Sequence, residues 1–514
     1  MREDWIECEL GALLKLKNGF AFKASNYKKG GIPVLRIGDI NDWIVSSENA
    51  VKIEEKEIYD EYTVETGDIL IALSGATTGK FGIYHSNEKA YQNQRVGNLK
   101  LYSENSINKS FVFYLLYSLK RDIERDAYGG AQPNISGVKI EALKTKIAPL
   151  PIQRAIVSKI EALFSDLDNG IANFKKAQAQ LKIYRQAVLK KAFEGELTKE
   201  WRERQSNLPT AEELLKQIKE ERQNHYNHQV EEWKKAVEDW EDGGSATIKP
   251  LKPKKLTELP KLKNDAILEL PELPTKWLYD YLANAGELGR GKSKHRPRND
   301  KNLFGGEYPF FQTGDVKGQK VLKNFSQTYN SVGLKQSKLW KKGTLCITIA
   351  ANIAETGFLG IDACFPDSIV GYNPFEKIVD ARYIDYFFQS AKSKIAAFAP
   401  ATAQKNINLT TLENLVIPFC TLQEQTQIVQ EIESRLSVCD KVEQSITESI
   451  AKAEALRQSI LKKAFEGKLL SKAEIDLCKK EADYEPASML LEKIKAEKLA
   501  KEQAEKKPIR KIKR

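Results

Sequence analysis

The stretch "GATTGK" at residues 75–80 sets glycines, threonines and a lysine in an order that invites comparison with a phosphate-cradling loop. That chemistry needs four residues between the glycines and a Ser or Thr after the lysine, whose hydroxyl reaches Mg²⁺. Here three residues intervene and Phe81 follows, so the sequence predicts a Gly-rich turn between two strands. "NPFE" at 373–376 has the Asn-Pro-aromatic order of an amino-methyltransferase loop but lacks its second proline. His85, His225, His228 and His295 are scattered; His225 and His228 lie i,i+3 on a charged, helix-forming stretch and read as a solvated face rather than a metal site. The six cysteines form no CxxC pair, which argues against zinc and a disulfide framework. No catalytic or metal-ligating constellation emerges, and the expectation is a chain that binds and does not itself transform.

The side chains suited to binding are those that reach phosphates and base edges. With 81 Lys+Arg against 70 Asp+Glu, the formal charge of +11 is compatible with a polyanionic partner, nucleic acid being the commonest. Base reading needs Arg, Lys, Asn, Gln, Ser or Thr projected from loops. One group is Lys15, Lys17, Asn18, Arg36, Ser74, Thr77, Thr78, Lys80, Gln92, Asn93, Gln94 and Arg95. A second is Lys292, Lys294, His295, Arg296, Arg298, Gln312, Thr313, Lys317 and Asn352. Within the second, "GRGKSKHRPR" carries six basic residues, counting His295 as protonated, and no acid, which suits phosphate contact.

The elements that position these groups are written twice. "LKKAFEGEL" at 189–197 returns as "LKKAFEGKL" at 461–469, and between 153–197 and 425–469 eighteen of forty-five positions are identical without a gap. "QPNI" at 132–135 answers "QKNI" at 404–407 in the same register, so half of the chain is duplicated. The predicted fold class is α+β. Two mixed α/β segments, 1–150 and 271–420, are separated by a long antiparallel two-helix coiled coil with pseudo-twofold repeat, formed by 151–197 and 421–470. The heptad runs through Ile160, Phe164, Leu167, Ile171, Phe174, Leu181 and Val188 in one copy and Ile432, Leu436, Ile446, Ile450 and Ile460 in the other. Asn169-Gly170 is a candidate interruption of the first helix, and Gly195 and Gly467 suit helix ends. Residues 198–270 read as a charged helical connector and linker, and 471–514 as a helix followed by the basic tail "KKPIRKIKR". "MREDWIECEL" does not read as a signal peptide, and no apolar run reaches the roughly 18 residues of a membrane span, so the expected location is cytoplasmic. The loops of the mixed segments differ: "YQNQRVGNLKL" has no close counterpart beside "CFPDSIVGYNP". A symmetric scaffold with unlike loops predicts two unlike half-sites.

The twin blocks "PLPIQRAIVSKIEALFSDLD…LKKAFEGEL" and "CTLQEQTQIVQEIESRLSVCD…LKKAFEGKL", with the openings "GGIPVLRIGDI" and "GGEYPFFQTGDV", give the whole chain a pattern that resembles the DNA-specificity subunit of type I restriction-modification systems. The resemblance implies two target-recognition domains, each reading half of a bipartite site in double-stranded DNA. The two helical blocks would form the spacer and dock two methylation (modification) subunits; two restriction (translocase/nuclease) subunits would complete a restricting complex. No cofactor is expected in this chain, S-adenosylmethionine, ATP and Mg²⁺ belonging to the partners. "LPIQR" lacks the acid that "LQEQT" places beside the glutamine, which puts the contacts of Arg154 in question. The connector helix and its C-terminal echo are expected either to brace the modification subunits or to serve as solubilising connectors. The rival readings are a stand-alone DNA methyltransferase or nuclease with a degenerate motif, and a coiled-coil scaffold that does not touch DNA.

Overall fold

The computed structural model describes residues 4–41, 43–128, 133–243, 249–253, 255, 262, 270–397 and 407–506. Gln132, the "QKN" of 404–406 and the basic tail from 507 lie outside the described residues. The chain divides into two compact units, one of residues 1–175 and 447–514, the other of 176–446.

In the first unit a five-stranded sheet runs in the order Leu14–Asn18, Val96–Leu101, Ile69–Ala72, Phe81–Tyr84, Trp43–Val45. A four-stranded sheet follows the order Val51–Ile53, Ile32–Leu35, Ala90–Gln92, Thr63–Val64, and Ile6–Glu9 pairs with Lys144–Ile147. The second unit repeats all three. Its five strands are Gly286–Arg290, Ile369–Pro374, Leu345–Thr348, Thr356–Leu359 and Val321–Leu322. Its four are Gln327–Tyr329, Phe304–Phe310, Ala363–Cys364 and Leu339–Trp340, and its pair is Leu278–Tyr281 with Val416–Phe419. The strands "ILIA" and "LCIT" are buried on both faces, which is why they are nearly continuous apolar runs rather than alternating ones.

Two helices, Leu150–Phe193 and Leu422–Phe465, have 44 residues each, about 66 Å of helix. The predicted blocks reach further, to 197 and 470, but each helix closes at a glycine in left-handed conformation, Gly195 (φ 76°) and Gly467 (φ 73°). The Glu196 N–H bonds to Lys191 O and the Gly195 N–H to Ala192 O; Lys468 to Lys463 O and Gly467 to Ala464 O repeat the pattern. The doubled "KKAFEG" is therefore a helix-ending Schellman turn written twice. The first helix passes through Asn169-Gly170 without a break. Leu167 and Ile171, on either side, hold partly buried seam positions, and seam packing outweighs the weak helix propensity of one glycine.

Every predicted heptad position is buried or half-buried. Ile160, Phe164, Val188, Ile432, Ile446 and Ile460 are buried; Leu167, Ile171, Phe174, Leu181, Leu436 and Ile450 are half-buried. In the first unit Arg457 bonds Asp168 and lies over the Phe164 ring at 4.9 Å, while the earlier Lys159 and Arg154 bond Glu474 and Asp483. One number falls as the other rises, so the packing is antiparallel. In the second unit Arg185 bonds Asp440 at 2.7 Å and Glu443 at 3.0 Å, while Thr198 and Arg202 meet Glu424. Asp168–Arg457 and Arg185–Asp440 are one contact made twice from identical residues of the repeat.

A buried glutamine fixes each helix to the backbone of the domain before it. Gln153 accepts the Asn108 N–H at 2.9 Å and donates to Ala148 O at 2.8 Å; Gln425 accepts the Asp380 N–H at 3.0 Å and donates to Cys420 O and Ile378 O at 2.9 Å. Within the predicted connector 198–270, one helix extends over Ala211–Asp242 and buries Leu214 and Ile218 in the second unit's core. The C-terminal helix Ala487–Lys506 buries Leu490, Leu491 and Ile494 in the first. These helices are parts of the cores they touch, which a merely solubilising connector would not be.

Gly170→Ala and Gly195→Ala should act in opposite directions. Gly170 is helical with open space at its Cβ, so alanine should stabilise by up to about 1 kcal/mol. At Gly195 a Cβ would meet Pro274 Cγ at 2.5 Å as well as force a left-handed alanine, costing about 1–2 kcal/mol or more. Denaturant unfolding of the two variants measures both signs.

Candidate nucleic-acid interface

At one end of the first unit's five-stranded sheet, backbone hydrogen bonds draw four segments together. Phe20 N–H bonds to Gln92 O and Gln94 N–H to Phe20 O, both at 2.9 Å; Asn93 N–H bonds to Leu35 O at 3.0 Å. Leu73 N–H bonds to Arg95 O at 2.9 Å, and the Thr77 hydroxyl donates to Ile37 O at 3.1 Å. Gly19 makes this possible: a Cβ there would lie 2.2 Å from Gln92 O. Lys17, Asn18, Gln94 and Arg95 are exposed, with Lys15, Arg36, Ser74, Thr77, Lys80 and Asn93 half-exposed on the same segments.

Two members of the expected group do not face out. Thr78 is buried, its hydroxyl donating to Gly75 O at 2.6 Å and also lying 3.1 Å from Pro133 O. Gln92 is buried, its amide spanning Lys17 O at 2.7 Å and Val96 O at 2.6 Å. Both hold the loops in place and leave the set of candidate contacts. The "GATTGK" stretch is the turn between the paired strands Ile69–Ala72 and Phe81–Tyr84, with Gly75 and Gly79 at positive φ.

The second unit builds the same clasp from other residues. Gly291 N–H bonds to Ile369 O, and a Cβ on Gly291 would lie 2.2 Å from Pro366 O, as at Gly19. Ile349 N–H bonds to Ser368 O at 3.0 Å, the counterpart of Leu73 with Arg95. In "RIGD" the Arg36 N–H donates to Asp39 Oδ2 at 2.8 Å; in "QTGD" the Gln312 N–H donates to Asp315 Oδ2 at 2.7 Å. Burial pushes the Asp39 carboxyl up, against the pull of the Arg36 N–H. Arg36 and Gln312 thus stand in the same socket of two domains. Aligning short motifs across the two halves, rather than counting polar residues, is the signal that finds this pair.

The basic stretch at 289–298 needs correction. Its own sequence has no acid, but the fold supplies two: His295 Nε2 lies 2.8 Å from Asp300 Oδ2, and Arg298 donates to Asp367 Oδ2 at 2.8 Å. Arg296 donates to the carbonyls of Ser293 and His295, and Arg290 to that of Asp367. His295, Arg296 and Arg298 therefore shape the loop. Lys292 and Lys294 are exposed and form no ion pair among the described residues. Lys317 is exposed and Thr313 half-buried; Gln312, exposed, donates to Gln327 Oε1 at 2.8 Å. Half-buried Asn352 accepts the Thr348 hydroxyl through its backbone carbonyl.

Among the described residues no group of His, Cys, Asp and Glu could hold a metal ion, and no helix is long and apolar enough to cross a membrane. The departure at "LPIQR" is resolved as well: Arg154 donates to Asp483 at 2.8 and 2.9 Å and to Glu481 at 2.6 Å, an intramolecular role.

Residues 2–175 and 283–452 match the family model described as type I restriction modification DNA specificity domain. The specificity subunit of the type I restriction enzyme EcoBI of Escherichia coli is 25% identical over 507 residues, 97% of this chain and 94% of that one. The EcoKI specificity subunit of Escherichia coli strain K12 is 23% identical over 520 residues, 97% and 96% of the two chains. The StySPI specificity subunit of Salmonella potsdam is 31% identical over 236 residues, 42% of this chain and half of that one. In fold, a chain solved in work on assembly and conformational transition of the type I R-M system superposes with a TM-score of 0.59 at 16% identity, covering 91% of this chain and 99% of that one. The HsdS subunit from Thermoanaerobacter tengcongensis gives 0.51 at 15% identity, covering 91% and 98%. A family model that takes up most of the chain, matched once in each half of its duplication, means that this protein belongs to the type I restriction-modification DNA specificity family.

Proposed function

We propose that residues 1–150 and 271–420 act as two target-recognition domains, each reading one half of an asymmetric bipartite site in double-stranded DNA. The observation that carries this is the clasped loop scaffold built twice with unlike side chains: Arg36 against Gln312, and Gln94-Arg95 against Asp367-Ser368. Arginine suits the O6 and N7 edge of guanine, glutamine the N6 and N7 edge of adenine. Lys17, Arg95, Lys292, Lys294 and Lys317 are exposed and supply phosphate contacts that set orientation.

The two 44-residue helices would set the number of base pairs left unread. They would also dock two modification subunits, and the apolar side chains they leave in solvent suit that role. Ile183, Tyr184, Val438 and Val442 are exposed in one unit and Leu456, the repeat counterpart of Tyr184, in the other. The chain would be a non-catalytic subunit. S-adenosylmethionine would act on the modification subunits, and ATP and Mg²⁺ on two restriction subunits where these join. Turnover by the purified chain with DNA, Mg²⁺ and S-adenosylmethionine would favour an enzyme instead; binding insensitive to salt would favour a scaffold.

Mapping methylated adenines in cells that express the complex tests the division of labour. Arg36→Gln should alter one half of the motif only. Removing one heptad from each long helix, about 10 Å of rise, should shorten the unread gap by about three base pairs and leave both halves intact. Lys292→Ala with Lys294→Ala should weaken DNA binding across sequences alike and flatten the slope of log K against log salt by roughly 1 for each phosphate no longer neutralised.

A further inference from the structure

The repeat places Trp5, Ile152, Arg154, Lys159, Leu470 and Glu474 in register with Trp277, Glu424, Thr426, Glu431, Thr198 and Arg202. All but Thr426 and Glu431, which bond within their own helix to Leu422 O and Arg435, make or line the joint where each long helix begins and where the segment that follows the other long helix packs. The two joints share a backbone plan and have inverted chemistry.

In the second unit the buried carboxylate of Glu424 takes three donors: the Thr198 hydroxyl at 2.8 Å, Arg202 at 2.5 Å and the Trp277 indole N–H at 2.9 Å. Arg202 also donates to Gly195 O at 2.8 Å and lies over the Trp277 ring at 5.5 Å. The acid sits on the long helix and the base on the incoming segment. In the first unit the buried core of the joint is apolar, with Ile152 and Leu470 in place of the acid and its hydroxyl partner, and the Trp5 indole N–H is buried with no partner among the described residues. The charges around it are reversed. Lys159 and Arg154 on the long helix bind Glu474 at 2.9 Å, and Asp483 and Glu481, on the incoming segment. Lys159, with the Ser471 N–H, holds the Glu474 carboxyl down to about 2.

We propose that this inversion is a pairing key, by which each long helix accepts the segment that follows the other helix and rejects the one that follows itself. Like halves are otherwise well matched, because the heptad seams and the Asp168–Arg457 and Arg185–Asp440 contacts are common to both. A like-with-like joint of first halves, from two copies of this chain, would set Lys159 against Arg202 and leave Arg202 and Thr198 facing Ile152. A joint of second halves would set Glu431 against Glu474 and bury Glu424 with neither Thr198 nor Arg202. An unpaired buried carboxylate is among the costliest defects a core can hold. The key goes beyond the proposed DNA reading and needs no DNA to be tested: it predicts that the chain pairs its own unlike halves and does not assemble through like ones.

Two variants of the full chain test it. Thr198→Leu with Arg202→Glu puts the first joint's segment chemistry against Glu424, and should lower the melting transition by roughly 5–10 °C and open the chain to protease around residue 198. Adding Glu424→Ile and Glu431→Lys gives the second joint the counterparts of the first joint's Ile152–Leu470 and Lys159–Glu474 pairs. This four-residue variant should regain the parental transition and, both joints now carrying the same two pairs, show more chains per particle than the parent by light scattering after size exclusion. A two-residue variant as stable as the parent, a four-residue variant that stays destabilised, or one with the parent's number of chains per particle would each overturn the proposal.

Discussion

Two buried amides carry more of this architecture than their size suggests. Gln153 and Gln425 each stand one turn inside a long helix and use both ends of the side chain on backbone groups of the adjoining domain. A helix that starts on such a clamp has a fixed direction relative to the sheets it leaves. Loss of the clamp would strand buried N–H and C=O groups at about 1–3 kcal/mol each. The loops that are candidates for DNA contact belong to the same domains, so any reading of sequence at a set spacing depends on this attachment before any contact with DNA is considered.

Duplication supplies the scaffold and divergence supplies the use. Strand order recurs in both halves, and helix ends, clamps and inter-helix ion pairs recur at one constant interval, because each solves a packing problem that both halves share. Among the differences between the halves, two stand at equivalent points of the scaffold. The loop socket holds Arg36 in one domain and Gln312 in the other; the joint holds Ile152 in one and Glu424 in the other. The proposed DNA reading draws on the first difference, the proposed pairing key on the second.

The heptad, the glycine helix ends and the duplication were legible because each depends on residues close in sequence or on a repeat that needs no gap. The Gly-rich turn at 75–80 was legible for the same reason. The candidate surface was legible only in outline. Thr78 and Gln92 have the composition of contact residues but are consumed by carbonyls that only the fold brings near. The basic run at 289–298 looked unopposed because Asp300 and Asp367 sit outside it, one of them many residues away. The acid missing from "LPIQR" was visible as a difference between the copies, yet its meaning required Trp277, Thr198 and Arg202 to be seen around Glu424.

The most direct measurement is selection of bound duplexes from a random library by this chain together with modification subunits, followed by sequencing of the survivors. The account predicts two unlike blocks of specified bases separated by a gap of constant length and free sequence. A single contiguous motif, a palindrome, or two blocks at variable spacing would contradict it.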